Sequence, residues 1–317
     1  MQVAYYPDES RPPHWRHPAL ALGNFDGVHR GHVKIAERVR RVADERAASA
    51  VAMTFDPHPS RVIRPDKAPP LLMTTPQKLE ALSKAGIQGV AIVRFTSEMS
   101  RWDPETFVRT VLVEWMRAAE VWVGANFLFG RDRSGNFSTL RSLGARYGFR
   151  AEKIDPVRYK DFVVSSTRVR RLIAEGRVDE AGALLGHHYY VDGSVIQGQR
   201  RGHLLGFPTA NLCSDNELTP PAGVYATIAQ IDAVFYPSVT NVGVRPTFAE
   251  DGNRGREQVT VETHLFDFEQ DLYGRRLRLE FVQRLRDERR FESVDALKAQ
   301  IAADCAQTRA LFDSMSL

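Results

Sequence analysis

Two hydrophobic rhythms that do not belong to one sheet meet near Gly186 in this 317-residue chain. From Ala19 to about Pro156, short continuous apolar runs read as strands buried on both faces: Ala19-Leu22, Val51-Phe55, Val90-Phe95 and Val121-Val123. Helical patterns lie between them. Val33-Arg46 places Ile35, Ala36, Val39 and Val42 on one face, and Asp103-Trp115 opens on an Asp103 N-cap with Pro104 in the first turn. Such alternation implies parallel strands joined by right-handed helical crossovers. Two short helices follow, Thr167-Glu175 and Asp179-Leu185, each stopped by a glycine, Gly176 and Gly186. Beyond them only strands remain, Tyr189-Ile196, Gly223-Ile231, Tyr236-Asn241, Thr260-Leu265 and Arg276-Phe281, set apart by Gly, Pro and Asp turns in the rhythm of an antiparallel barrel. Ser293 caps a last helix whose Val294, Leu297, Ile301, Cys305, Leu311 and Phe312 form an apolar stripe for that barrel. The expected architecture is a doubly wound α/β domain over residues 1–186 and a β-barrel domain with a terminal helix over residues 187–317. The length exceeds what one core organises, and 43% hydrophobic residues suffice for two.

Composition narrows the function classes. Forty-three basic residues against 39 acidic ones, a formal +4, suit anionic small molecules and are thin for a nucleic-acid binder; no basic stripe with interleaved aromatics accompanies them. Cys213 and Cys305 lie far apart, so neither a disulfide framework nor a metal cluster is indicated, and a reducing cytoplasm fits. Met1 to Pro13 carries Asp8, Glu9 and three prolines in place of an apolar signal core, and no window reaches the length of a membrane span. A cytoplasmic enzyme of small molecules, without membrane or nucleic-acid partners, is the expectation. Nothing in the sequence decides the oligomeric state.

The most informative segment is Gly23-Asn24-Phe25-Asp26-Gly27-Val28-His29-Arg30-Gly31-His32, between the first strand and the first helix. A helix N-terminus offers unpaired N–H groups and a positive dipole to phosphate, and glycines admit close backbone approach. His29 and His32, three apart, can face one phosphate. That arrangement serves nucleotidyl transfer, in which a nucleophile attacks the α-phosphorus of ATP and pyrophosphate leaves. Here the chain resembles the nucleotidyltransferase superfamily with the His-x-Gly-His signature, and specifically the N-terminal, Rossmann-like domain of bacterial bifunctional riboflavin kinase/FAD synthetases. The resemblance implies that His29 and His32 are catalytic and that Gly23, Phe25, Asp26 and Gly31 bind nucleotide. Phe55-Asp56-Pro57-His58-Pro59 is similar to a family loop implied in flavin placement, giving Phe55, Pro57 and His58 that role. Gly124-Ala125-Asn126-Phe127-Leu128-Phe129-Gly130 is similar to another, with Asn126 near ATP and Phe129 near flavin. Val164-Ser165-Ser166-Thr167-Arg168-Val169-Arg170 resembles the second phosphate motif: Ser166 and Thr167 would grip the nucleotide, and Arg170 would be the transition-state cation. Without that company, Ser165 or Ser166 would read as a helix cap and the arginines as a solvated face.

In the second half, Gly198-Gln199-Arg200-Arg201-Gly202-His203-Leu204-Leu205-Gly206-Phe207-Pro208-Thr209-Ala210-Asn211 spaces three glycines four residues apart, which implies a flexible loop feeding a rigid turn. The segment resembles riboflavin kinase. By that resemblance Gly198, Gly202 and Gly206 bind nucleotide, while Thr209 and Asn211 place Mg²⁺ and the ATP phosphates, ligands of the kind magnesium takes. Asn241-Val242-Gly243-Val244-Arg245-Pro246-Thr247-Phe248 is a further match. In Val261-Glu262-Thr263-His264-Leu265 strand alternation turns Glu262 and His264 one way, Val261 and Thr263 the other. The resemblance makes Glu262 the general base toward the ribityl 5'-hydroxyl of riboflavin. Two departures stand out: His203 where the family usually has arginine, and Asp232-Ala233 in place of an Asp-Gly hairpin turn. The expected reactions are phosphorylation of riboflavin to FMN, then adenylyl transfer from ATP to FMN to give FAD. The rival readings are an enzyme that has lost one activity, a nucleotidyltransferase of another phosphate-bearing alcohol, and a flavin- or nucleic-acid-binding protein without chemistry.

Overall fold

A computed structural model describes residues 1–198, 202, 205–245 and 258–315, and the side chains of Arg245 and Gln258 fall outside that description. The chain divides into two compact units, Met1–Ser166 and Thr167–Leu317. By packing, the division therefore falls ahead of Gly186, and the two helices before that glycine go with the barrel.

In the first unit β1 (Gln2–Tyr6), β2 (Ala19–Leu22), β3 (Ala50–Asp56), β4 (Gly89–Arg94), β5 (Glu120–Gly124) and β6 (Arg150–Ile154) form one parallel sheet in the order β1-β4-β3-β2-β5-β6. The helices are α1 (Arg30–Glu45), α2 (Pro59–Ile63), α3 (Thr75–Lys84), α4 (Pro104–Phe107), which widens into a π-helical stretch Val108–Trp115, and α5 (Phe137–Tyr147). Period-two alternation sorts the sheet residues between two cores. Leu20, Leu22, Val51, Met53, Val121 and Val123 meet Phe107, Val111, Leu112 and Leu140 on one face. On the other, Ala19, Ala21, Ala50 and Ala52 meet Ile35, Ala36 and Val39 of α1 and Leu82 of α3, and the row of alanines lets α1 lie close to the strands. Asp103 caps α4 as expected, its Oδ1 accepting from the Thr106 N–H at 2.8 Å.

Strands β1 and β6 escape the sequence pattern because they are the edges: in each only one residue, Ala4 or Ala151, is fully buried. Helices α3 and α5 are likewise additional to the sequence reading. A two-residue-per-strand hairpin, β7 (Arg158–Tyr159) with β8 (Phe162–Val163), completes the unit.

The second unit begins with α6 (Ser166–Ala174) and α7 (Val178–Leu185); α7 stops at Gly186, whose N–H returns to Gly182 O at 2.8 Å. The barrel comprises β9 (Tyr189–Ile196), β10 (Ala210–Ser214), β11 (Gly223–Ile231), β12 (Val234–Arg245), β13 (Gln258–Leu265) and β14 (Arg276–Arg286). All pairings are antiparallel, and the order β10-β13-β12-β11-β14-β9 closes on itself. Buried in it is a chain of hydroxyls: Thr227 Oγ1 lies 2.8 Å from Ser238 Oγ and 2.7 Å from Thr240 Oγ1, and Thr240 donates to Thr263 Oγ1 at 2.9 Å. The Asp232-Ala233 turn between β11 and β12 places Asp232 at φ +53°, a conformation aspartate tolerates, and its carboxylate accepts from Arg275 Nη2 at 2.6 Å.

Helix α8 (Val294–Met315) is capped by Ser293, whose Oγ accepts from the Ala296 N–H at 3.1 Å. Its apolar stripe is narrower than expected. Cys305, Leu311 and Phe312 do pack against the barrel residues Val224, Val239, Ile228 and Val282, but Val294 is exposed, and the other deeply buried positions are polar, Asp304 and Thr308. The reason is a fork of charge-assisted bonds: Arg286 Nη2 reaches Asp304 Oδ2 at 2.8 Å, Arg286 Nε reaches both carboxylate oxygens at 3.0 and 3.1 Å, and Gln300 Nε2 adds a bond of 2.7 Å. Removing one partner strands a buried charge. Asp304→Ala is expected to lower the unfolding free energy of the barrel unit by about 3 kcal/mol, read from its transition in urea.

Candidate functional sites

The strand order of the first unit reverses at β2, with β3 on one side and β5 on the other, so the segments leaving the carboxyl ends of β2 and β5 part and leave a crevice. Three of the four N-terminal motifs leave the carboxyl edge of this sheet: residues 23–29 follow β2, Pro57 and His58 follow β3, and Asn126 to Phe129 follow β5.

His29 is the N-cap of α1. Its Nδ1 accepts from the His32 N–H at 3.3 Å, and the two imidazoles stack with centroids 3.7 Å apart and planes 11° apart. A ring nitrogen that accepts carries no proton, so neutral His29 bears its proton on Nε2, a donor suited to a phosphoryl oxygen. His32 Nδ1 is buried without a hydrogen-bond partner among the described residues, and the ring meets Phe25 edge-on at 5.1 Å. Burial holds the His32 pKa well below the ordinary histidine value, and the neighbouring His29 and Lys78 push the same way. Gly31 eases a close approach: a Cβ there would stand 3.2 Å from His29 Cε1 and Nδ1, tight enough that the ring would have to give by a few tenths of an ångström.

The loop that carries the histidines is strained. Phe25 and Val28 adopt φ of +49° and +34°, costly for residues with a Cβ and sustained only when the surroundings over-determine them. Those surroundings are specific. Gly23 N–H donates to Met53 O at 3.1 Å, Thr54 Oγ1 donates to Asn24 O at 3.0 Å, the Leu72 N–H donates to both Asp26 carboxylate oxygens at 2.9 and 3.2 Å, and Ser166 Oγ donates to Asp26 O at 2.8 Å. Asp26 is thus a buried fixture of the loop.

Lys78 was not legible as a site residue, although it is only 8% exposed and its Nζ donates to Thr54 Oγ1 at 3.4 Å. The available signal was its place four residues before the buried Leu82 in a helix opened by the Thr74/Gln77 capping box, which puts an ammonium on the apolar face of α3.

Phe55 and Phe129 belong to one aromatic cluster at the carboxyl edge. Phe55 meets Phe95 at 5.8 Å and Phe107 at 6.2 Å, Phe107 meets Phe129 at 6.0 Å, and Phe129 stacks on Phe127 at 5.3 Å. Phe95, Phe107 and Phe127 extend the pair singled out by sequence. His58 caps α2, its Nδ1 accepting from the Ser60 N–H at 3.2 Å. Asn126 is exposed beyond β5. Ser166 closes the first unit; Thr167, exposed, and Arg170, half-buried, lie in α6 of the second.

On the barrel, register places three polar residues in one row. Asn211 of β10 stands opposite Glu262 of β13, which stands opposite Asn241 of β12, so all three share one face of the sheet. The opposite face of β13 is interior, with Val261 and Thr263 buried, and Glu262 is half-buried on the outer side. Asn241 was not singled out as a site residue; its Nδ2 donates to Glu288 Oε1 at 3.4 Å. Thr209 immediately precedes β10. Gly198 and Gly202 let the backbone pack closely against neighbours: a Cβ at Gly198 would lie 2.1 Å from Asn211 Nδ2, and one at Gly202 2.4 Å from Phe207 O and 3.0 Å from Thr209 Oγ1. Gly206 is exposed at φ +85°, His264 Nδ1 lies 2.8 Å from Pro208 O, and Phe207 meets the His264 ring edge-on. Gln199 to Arg201, His203, Leu204 and Pro246 to Phe248 lie outside the described residues.

Comparison with known proteins matches both halves. A family model described as FAD synthetase matches residues 11–168, and one described as riboflavin kinase matches residues 185–312. The bifunctional riboflavin kinase/FMN adenylyltransferase of Pseudomonas fluorescens is 39% identical over 98% of this chain and 98% of its own. Its counterpart in Escherichia coli K12 is 36% identical over 92% of each chain, and that of Bacillus subtilis 33% over 93% of each. A crystal structure described as a macrolide-efflux protein from Streptococcus pneumoniae superposes with a TM-score of 0.87 at 28% identity, covering 98% of this chain and 99% of that one. Among the described residues no helix is long and apolar enough to cross a membrane.

Because folded His32 refuses a proton that the unfolded chain accepts, its contribution destabilises the first unit progressively as pH falls below the ordinary histidine value. Unfolding free energy should therefore decline toward acid through that range. In His32→Asn the decline should be shallower, checked by urea titrations at stepped pH.

Proposed function

Because the chain belongs to the family of bifunctional riboflavin kinases/FMN adenylyltransferases, and so phosphorylates riboflavin and adenylylates FMN, we propose that each reaction has its own address in the fold. FMN adenylylation is assigned to the crevice at the carboxyl ends of β2 and β5, and riboflavin phosphorylation to the outer face of the barrel around Glu262.

In the first reaction a phosphate oxygen of FMN attacks the α-phosphorus of ATP and pyrophosphate departs. The chain's task is positional and electrostatic: His29 donates from Nε2 and His32 from the adjacent ring to oxygens that gain charge as the bond to pyrophosphate breaks. Gly23, Phe25, Asp26 and Gly31 shape the loop around the nucleotide, with Asn126 and Ser166 as further contacts. The family resemblance gives Thr167 a nucleotide contact and Arg170 the role of multidentate cation for the phosphates. The cluster around Phe55 and Phe129, flanked by Pro57 and His58, supplies aromatic surface for an isoalloxazine ring.

In the second reaction the ribityl 5'-hydroxyl attacks the γ-phosphorus of ATP; the hydroxyl proton passes to Glu262 and ADP leaves. Gly198, Gly202 and Gly206 form the loop over the nucleotide. Thr209 and Asn211 offer a hydroxyl and an amide oxygen, which suit Mg²⁺, a cation that keeps waters and shares itself with phosphates. Bound there, the ion would neutralise charge on the β- and γ-phosphates. Among the described residues no group of three or more His, Cys, Asp or Glu could hold a metal. The observation that best supports this assignment is the row Asn211-Glu262-Asn241, with a carboxylate beside a donor set for phosphate. A cytoplasmic location accords with the free thiols of Cys213 and Cys305.

Glu262→Ala should reduce FMN formation from riboflavin by about 10²-fold or more while FAD formation from supplied FMN stays near wild type. The double replacement His29→Asn/His32→Asn should do the reverse. Chromatographic separation of riboflavin, FMN and FAD reads both, and equal loss of the two activities in either variant overturns the assignment.

A further inference from the structure

The adenylylation address contains a buried cation to which nothing above gives a task. Lys78 is 8% exposed, in the first half of α3, and it lies beneath the strained loop. Its Nζ donates to Thr54 Oγ1 at 3.4 Å, and the same hydroxyl donates onward to Asn24 O at 3.0 Å, so ammonium, hydroxyl and loop carbonyl form one relay. The segment that leads into α3 grips the loop a second time through the Leu72 N–H on Asp26.

We propose that Lys78 is a positioning residue for adenylyl transfer: a buried cation that, through Thr54 and in the field of Asp26, fixes the strained turn carrying His29 and His32. The inference rests on the assignment of those histidines to FMN adenylylation.

A purely structural side chain at this depth would be apolar, since an ammonium out of water is costly unless a nearby charge offsets it. Burial lowers the pKa of Lys78, and the charges of Asp26 and Asp56 partly restore it. The same ammonium, together with His29, disfavours a proton on His32. Titratable groups bearing on the His32 ring are thus His29 at the cap of its own helix and Lys78 from α3, with Asp26 and Asp56 bearing on Lys78. The neutral ring matters because His29 and His32 are stacked at 3.7 Å and His29 Nδ1 must remain an acceptor to cap α1. Protonating His32 sets a charge against that pair and loosens the cap. Lys78 therefore acts on the reaction through His32 and the loop, without contact to the reacting atoms.

The test uses the full chain, whose riboflavin kinase reaction is an internal control for folding and protein quantity. In Lys78→Met, kcat/KM for FMN adenylylation should fall, with its acid limb displaced to higher pH, so that the loss is several-fold greater at the acid end of the profile than at its plateau. Lys78→Arg should keep the limb where it is. Thr54→Val, which removes only the hydroxyl of the relay, should displace the limb in the same direction by less, and it decides the matter if Lys78→Met does not fold. An unmoved limb in the folded Met and Val variants, or an equal displacement in the Arg variant, overturns the proposal. If His32→Asn makes FAD at the wild-type rate with an unchanged profile, the fault lies in the assignment of the histidines.

Discussion

The reversal of strand order at β2 is the constraint from which the first unit's chemistry follows. A parallel sheet directs all its carboxyl ends to one edge, and a reversal leaves two adjacent connections diverging there. Into that gap the chain sends a turn with two non-glycine residues at positive φ and then the amino end of α1. The strain is held because the carboxyl ends of β3 and the approach to α3 both bond to the turn. Removing any one of these contacts leaves the others to hold a conformation the loop would not adopt alone.

Much of this was visible in the residues. The apolar runs of β2, β3, β4 and β5 mark strands covered on both faces, and residues 23–32 mark a phosphate-binding turn by their position between strand and helix as much as by their letters. The edge strands β1 and β6 were not visible, because a strand covered on few positions has no continuous apolar run. Lys78 was not visible either. A lysine on a helix is ordinarily a solvated side chain, and only the fold shows that the apolar face of α3 lies beneath Thr54 and Asp26. Helix α8 misled in the opposite sense: its stripe suggested a purely apolar seat, whereas Arg286 draws Asp304 into a buried position. Pairwise contacts distant in sequence are invisible to periodicity.

Glu262 owes its place to register, not to a loop. Alternation within β13 fixes which face it takes, and pairing with β10 and β12 fixes that Asn211 and Asn241 flank it. Asn241 joins the site only through the pairing of β12 with β13, since no local pattern links residues so far apart in the chain. The same limit hid Phe95 and Phe107, which join Phe55 and Phe129 only once β3, β4 and the helix after β4 share an edge.

The hydroxyl chain of Thr227, Ser238, Thr240 and Thr263 has a bearing on this placement. Hydroxyls in an apolar interior are tolerated only while they bond one another, and here they do so across three neighbouring strands. Sliding β13 by one residue would carry Thr263 out to solvent, take from Thr240 the acceptor of its hydroxyl proton, and bring the Glu262 carboxylate into the barrel. Every such misalignment is penalised twice. Four side chains that never meet a substrate thus act as a lock on alignment, and the carboxylate reaches the outer surface because the alternative closure of the barrel has no partner for what it would bury.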